Sequence, residues 1–470
     1  MFRDAPSLKE VFTSKETPAG EGRYGLFSPH LKKERKQWFK MVFMILGLVS
    51  VFMFLYLSIY FGSYYSQVYR ADHFSVELLD LDSAASPYGS VAHPAVLGPA
   101  IQSAALNSYS TDPHLGWYVA NNDVVRTMRL TSDGQGRDPL SYAMERVQNQ
   151  DVWAVVVVNA NATSGVWNAL TSGTQWTPGG AMTFVFQEAR NFYGTEQYVR
   201  RIALSVLTSG GSTAATNLAN QVLALGNATA VLAAAPSGAL PSPFAYSQYV
   251  LAPFDQLAGI PATTVGTIYL IIFTFLISVL WNQLALPTIK DKLTIGSEIA
   301  VKLLVPFLGY FWLSLHYSLV SLAFLVTFNR ALGKGGFVVY WMANWVTMSA
   351  LGYVMETLFL WLGPLFFPFF LLFWVILNVS VAFLDIADMA AFYGYGYIMP
   401  IWNLVEASKF IIFNTKNHLV QNFAVNLGWL VVWAIILVLT VVYQRRKTER
   451  QTMREAWTQA GGKTSDMDGK

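Results

Sequence analysis

The chain has 470 residues, of which 54% are hydrophobic, 15% aromatic and only 13% charged, too apolar a balance for one water-exposed domain of this length. Its net charge of +3 comes from basic residues gathered beside apolar runs. They read as membrane-topology signals rather than a nucleic-acid footprint, so no DNA or RNA partner is implied. With no cysteine, disulfides, thiolate metal sites and thiol nucleophiles are excluded together.

Residues 1–40 form a polar tail that ends in Lys32, Lys33, Arg35, Lys36 and Lys40. The uncharged run Met41–Phe61 follows, long enough to cross ~30 Å of hydrocarbon as a helix. The run is too long, and its preceding tail too polar, for a cleaved signal, so residues 41–62 are expected to be a permanent first span. No lysine then occurs until Lys290. The basic cluster before the span predicts a cytoplasmic N-terminus and export of the lysine-free segment.

Residues 63–262 are therefore expected to be an extracytoplasmic domain. Phe74–Asp82 and the continuous apolar run Val152–Val158 read as strands. Helical patterns cover Gly98–Ser108, Leu140–Gln148, Glu188–Thr208 and Ala214–Ala235. The alternation predicts a small α/β domain with some parallel pairing. Asn161 and Asn227 each open an Asn-Ala-Thr glycosylation acceptor in this segment.

Five further spans are expected in residues 263–444: Thr264–Trp281, Leu303–Phe328, Phe337 to about Leu362, Leu365–Leu384, and Val425–Tyr443. The fold class is thus a polytopic α-helical membrane protein with six transmembrane helices, one plus five, around an extracytoplasmic α/β domain. Six crossings leave both termini in the cytoplasm, where Arg445, Arg446 and Lys447 open a tail over residues 445–470. The loop carrying Lys290, Lys292 and Lys302 falls on the same side. The short joint Gly363–Pro368 also admits a bend at the membrane surface, five crossings and an exterior C-terminus; the Arg-Arg-Lys cluster argues against that.

Motifs for chemistry are scarce. Gly462-Lys463-Thr464 imitates the end of a phosphate-binding loop, but Trp457 stands where its first glycine belongs and only six residues follow. The chain therefore carries no ATP engine of its own, and no catalytic, metal or cofactor set is expected. Polar positions within the spans are the candidates for a pathway. Ser314, Ser318 and Ser321 lie on one stripe of the third span, where close helix packing is the competing explanation. Glu356 is a carboxylate within a span, and such groups face a partner or a wet cavity. Asn378 and Asp385 share a face of the fifth span.

Residues 393–418 are too apolar for an ordinary loop and too interrupted for a span. Gly394, Gly396 and Pro400 break the helix before Ile401–Phe413 resumes. A re-entrant or interfacial element at the outer surface is expected, and irregular backbone at that depth marks a gate.

The run Tyr397–Asn403, the segment Phe413–His418, Asn422-Phe423 and the two early strands together resemble the fungal nitrosoguanidine-resistance membrane protein family. That family is similar to type-2 ABC exporter permeases of the YhgE/Pip kind, and the resemblance covers residues 35 to 445. It implies a plasma-membrane protein connected with resistance to toxic compounds or with lipid distribution, a homodimer, and a separate ATPase subunit. The expected partners are the lipid bilayer and an amphipathic small molecule or lipid substrate. The function expected is an exporter-like permease. A membrane scaffold or regulator that keeps the permease fold without transport is the alternative, and a lipid-modifying enzyme with an exterior cleft is a third.

Overall fold

A computed structural model describes residues 28–65, 67–83, 95–129, 137–226, 231, 236 and 242–459. Asn227 and the Gly462–Thr464 motif lie outside the described residues. The chain divides into two compact units, 1–58 and 59–470. In the first, the described residues form the apolar helix α1, Lys32–Tyr65, whose last turns belong to the second unit.

The second unit opens with a five-stranded sheet of order β2-β1-β3-β4-β5. Its strands are β1 (Ser75–Asp80), β2 (Gly116–Val119), β3 (Ala154–Val158), β4 (Met182–Gln187) and β5 (Tyr246–Leu251). β1 runs parallel to β2 and β3, β3 is antiparallel to β4, and β4 is parallel to β5. Helices α2 (Leu97–Ser108), α3 (Asn122–Arg129), α4 (Pro139–Gln148), α5 (Ala162–Ser172) and α6 (Arg201–Leu223) cover it.

Strand β3 shows why both faces are apolar. Ala154, Val156 and Val158 point into a core shared with α2, α5 and α6, while Val155 and Val157 point into a second core with Tyr142 and Val147 of α4. A strand with two buried faces cannot alternate polar and apolar residues, hence its run of valines. Polar groups inside this domain are tied internally. Buried Glu77 accepts from the Tyr142 hydroxyl at 2.8 Å and Arg146 Nε at 3.1 Å, and Asp82 accepts from the Thr163 amide at 2.9 Å.

Two features depart from the sequence expectations here. Strands β2, β4 and β5 add to the two expected ones. The break expected between Thr208 and Ala214 is absent, because Gly210 and Gly211 lie inside the continuous helix α6. They let it approach Ile101 of α2 and Phe244 so closely that a Cβ at either would stand under 3.0 Å from them.

The remaining helices are α7 (Gly266–Leu280), α8 (Ile295–Ala323), α9 (Gly336–Ala382), α10 (Pro400–Phe413) and α11 (Leu419–Gln459). Among the described residues, five helical stretches are long and apolar enough to cross a membrane, one of them running from Asn329 to Ala382. That stretch is broken inside α9 at Gly363, whose φ of 66° and ψ of 173° are non-helical and open essentially to glycine alone. Contacts with α11 show what the break does. Thr347 meets Asn426, Trp361 meets Tyr443, and Trp374 is back beside Trp429. Residues 429 and 443 stand about 21 Å apart along a helix, so the two arms of α9 are antiparallel. Phe359 packs edge-on against Phe367 across the reversal.

Helix α8 begins before Lys302, which corrects the expectation that this lysine lies in a loop. Between α7 and α8 the backbone makes only a π turn and two short 3-10 turns. Residues 391–398 form a 3-10 helix, Met399 is extended, and α10 starts at Pro400, so the break falls where the glycines and proline placed it. Eleven of the α10 residues are buried, so the helix is sheathed in protein rather than lying on a surface.

Candidate functional site

At one end of the bundle, α7 finishes in a π turn, Trp281–Ala285, a geometry that redirects a side chain out of helical register. The Asn282 amide is thereby placed between α8 and α9. Its Nδ2 donates to Glu356 Oε2 at 2.7 Å and to the Ser278 carbonyl at 2.8 Å, and its Oδ1 accepts from Lys302 Nζ at 2.9 Å. Glu356 is 0% exposed and Lys302 1%. The donor end of one amide thus serves the carboxylate and its acceptor end the ammonium, joining opposite charges without direct contact. Glu356 Oε1, the Tyr310 hydroxyl and Ser278 Oγ are also buried and lie together, Ser278 beside both of the others, without hydrogen bonds of good geometry. Orphaned polar atoms in a membrane bundle mark a place that water or a polar ligand can enter.

Lys302 also lines a cavity of about 700 Å³ with Lys290, Gln444 and Arg445. At its rim Arg445 pairs with buried Glu298 at 3.1 Å. Beyond Glu356 the bundle closes, because the Tyr310 ring rests directly on Gly352, where a Cβ would stand 2.2 Å from it.

The serine stripe serves the α8–α9 seam. Ser314 Oγ accepts from Trp341 Nε1 at 3.2 Å and Ser318 Oγ from Asn344 Nδ2 at 3.0 Å, while Ser321 faces Tyr340. The structure brings none of the three to the Glu356 cluster. Asn378 is wholly buried and its Oδ1 accepts from the Ile401 amide at 3.3 Å, which caps α10 from a neighbouring helix. Gly396 is packed so tightly that a Cβ would meet Ile386 at 2.6 Å and Val381 at 2.7 Å, whereas Gly394 has open space.

Asp385 belongs to a second site at the opposite end of the bundle. Its Oδ1 accepts from the Ala387 amide at 2.9 Å, and it lines a polar chamber of about 220 Å³ with Arg190, Glu406, Lys409 and His418. Lys409 Nζ donates to Glu406 at 2.7 Å and to the Arg190 carbonyl at 2.9 Å, which fastens α10 to the sheet domain. Burial holds the Arg190 guanidinium below its ordinary value, with Asp385 and Glu406 opposing. Burial, helped by Lys416, also lowers His418. Next to the chamber, buried Asp388 is pushed up to about 8, chiefly by burial and then by Asp385.

Sequence reasoning missed Asn282 and Lys302, taken for loop residues, and a row of buried amides: Asn344, Asn403, Asn422 and Asn426. The signal was present, since Lys302 stands a turn from Glu298 and Asn422 a turn from Asn426. Asn161 is exposed at the start of α5.

In comparisons with known proteins, residues 44–435 match a family described as "Protein of unknown function (DUF3533)". The chain is also 28% identical over 212 residues to a Saccharomyces cerevisiae protein named "Uncharacterized endoplasmic reticulum membrane protein YJR015W". That match covers 44% of this chain and 41% of the relative, well under two thirds of its length. No solved structure matches the chain significantly. A multi-pass membrane protein with a buried amide-bridged charge pair in its bundle, the chain belongs to the DUF3533 family.

Proposed function

We propose that this protein is an exporter-like permease that moves or redistributes amphipathic compounds or lipids across a membrane of the secretory pathway. The observation that carries the reading is the Glu356–Asn282–Lys302 cluster, which holds both charges and an orphaned carboxylate oxygen inside the bundle beside a cavity. Buried ionisable groups in membrane helices are costly, and their common use is a translocation path. The antiparallel arms of α9 support counting six crossings, with α1 as the first and both termini cytoplasmic. The resistance and lipid roles and the plasma-membrane location rest on the resemblance of the 397–423 region, whereas the yeast relative's name supports an endoplasmic reticulum location. A homodimer and a separate ATPase subunit belong to the same reading.

Tyr310 packed on Gly352 favours the alternative of a non-transporting scaffold, since it seals the cluster from the far side. The two separate on Glu356→Gln, which keeps shape and removes charge. Efflux of a fluorescent amphiphile, measured per protein present in the membrane, is expected to fall to the level of cells lacking the protein. Unchanged efflux with normal abundance would leave the scaffold.

A further inference from the structure

Beside the polar chamber lies an apolar cavity of about 430 Å³, whose walls include Phe254, Ile268, Val379 and Phe383. The two cavities share Asn191, Leu384 and Lys409 as walls, so they lie side by side. Their chemistry is split sharply. The apolar walls come from the start of α7, the end of α9 and the rim of the sheet domain, while the chamber gathers Arg190, Lys409, Asp385, Glu406 and His418. The apolar cavity has the volume of a small-molecule site, and the chamber is smaller, of a size for a head group alone.

Arg190 decides the head group. Its Nη1 donates to the Val152 carbonyl at 3.1 Å and its plane lies over the Trp153 ring, 3.7 Å from the centroid. Among the described residues no carboxylate pairs with it. Lys409, one wall shared by both cavities, stands beside it. A planar guanidinium with unused donors and an adjacent ammonium are suited to a phosphate, and the nearby carboxylates Asp385 and Glu406 suit the ammonium of a zwitterionic head.

We infer that the paired cavities are a binding site for a phosphate-headed membrane lipid, with its head in the Arg190–Lys409 chamber and one acyl chain along Ile268, Val379 and Phe383. The inference rests on the permease reading for the lipid's role as a substrate; binding itself is independent of it.

The test uses the full-length protein in detergent and a photoactivatable lysophosphatidylcholine, with labelled peptides mapped by mass spectrometry. Labelling is expected within residues 254–268 and 379–384. A single-chain phospholipid should compete, while inorganic phosphate, glycerophosphocholine and a fatty alcohol of equal chain length should not. Arg190→Gln is expected to lower labelling about tenfold, equivalent to about 1.4 kcal/mol, and Ile268→Trp and Val379→Trp, which fill the apolar side, to do the same. If Arg190→Gln fails to fold, the two tryptophan variants carry the test. Glu356→Gln protein that purifies folded should label normally, so loss of transport without loss of labelling separates failure of this site from failure of the permease reading. Competition by phosphate or glycerophosphocholine alone would make it a plain anion site, and competition by the fatty alcohol a plain greasy patch. Either result, label mapped elsewhere, or undiminished labelling in both tryptophan variants overturns the inference.

Discussion

Lys302 and Glu356 are a pair only through Asn282, and that arrangement has a measurable signature. Removing one charge leaves the other buried and uncompensated, at a cost of roughly 3–5 kcal/mol, whereas replacing both with neutral groups is often close to neutral. Lys302→Met is therefore expected to lower the unfolding temperature in detergent sharply, and Lys302→Met with Glu356→Gln to recover most of the loss. A double variant as unstable as the single one would show that the two charges are not coupled. Asp388 makes a pH prediction of opposite sign to a salt-bridged carboxylate. Its value is raised from 3.8 to about 8, so between those limits the folded protein holds a proton that the unfolded chain releases. Stability from this group is present below about pH 4 and falls as pH rises through 8. Asp388→Asn should flatten that dependence and raise the unfolding temperature most above pH 8; an unchanged pH profile would mean that Asp388 does not titrate there.

At the scale of elements, the segment before α10 separates two glycines that sequence treats alike. Gly396→Val must displace Ile386 and Val381, an overpacking expected to cost about 1–3 kcal/mol, while Gly394→Val meets open space and should stay within about 0.5 kcal/mol of wild type. Thermal unfolding of both variants checks this, and equal losses would contradict the packing around Gly396. The break itself was legible because proline and paired glycines act locally. The burial of α10 was not, since it comes from segments distant in sequence. Ile401, Leu404 and Val405 share a core with Leu270, Tyr310 and Leu351, and Phe410–Phe413 one with Ala262, Val326 and Tyr340. Lys409 and the Gln148 amide, which donates to the Asn414 and Thr415 carbonyls, tie its end to the sheet domain. The same division holds for the strands. β3 announces itself as a run of valines, whereas β5 exposes most of its residues and so carries no apolar pattern to find. β2 is only four residues long. Lys302 was read as a topology signal because a lysine near a span usually is one; only the π turn that delivers Asn282 gives it a partner.

For the whole molecule, orientation is the question on which the proposed pathway turns. If the sheet domain is exterior, Asn161, exposed at the head of α5, should carry glycan in cells. Enzymatic deglycosylation is expected to shift the band, and Asn161→Gln to remove the part of the shift due to this site. No shift in wild type would put the domain on the other side or the acceptor out of reach. The reversal at Gly363 bears on how such a chain is made. If both arms of α9 cross, a turn of one residue leaves no hydrophilic loop to be threaded across or held back, so neither arm can commit to the bilayer while the other waits in water. The two must leave the insertion machinery as a single hairpin, and a chain halted after the first arm would expose an apolar end with nowhere to return.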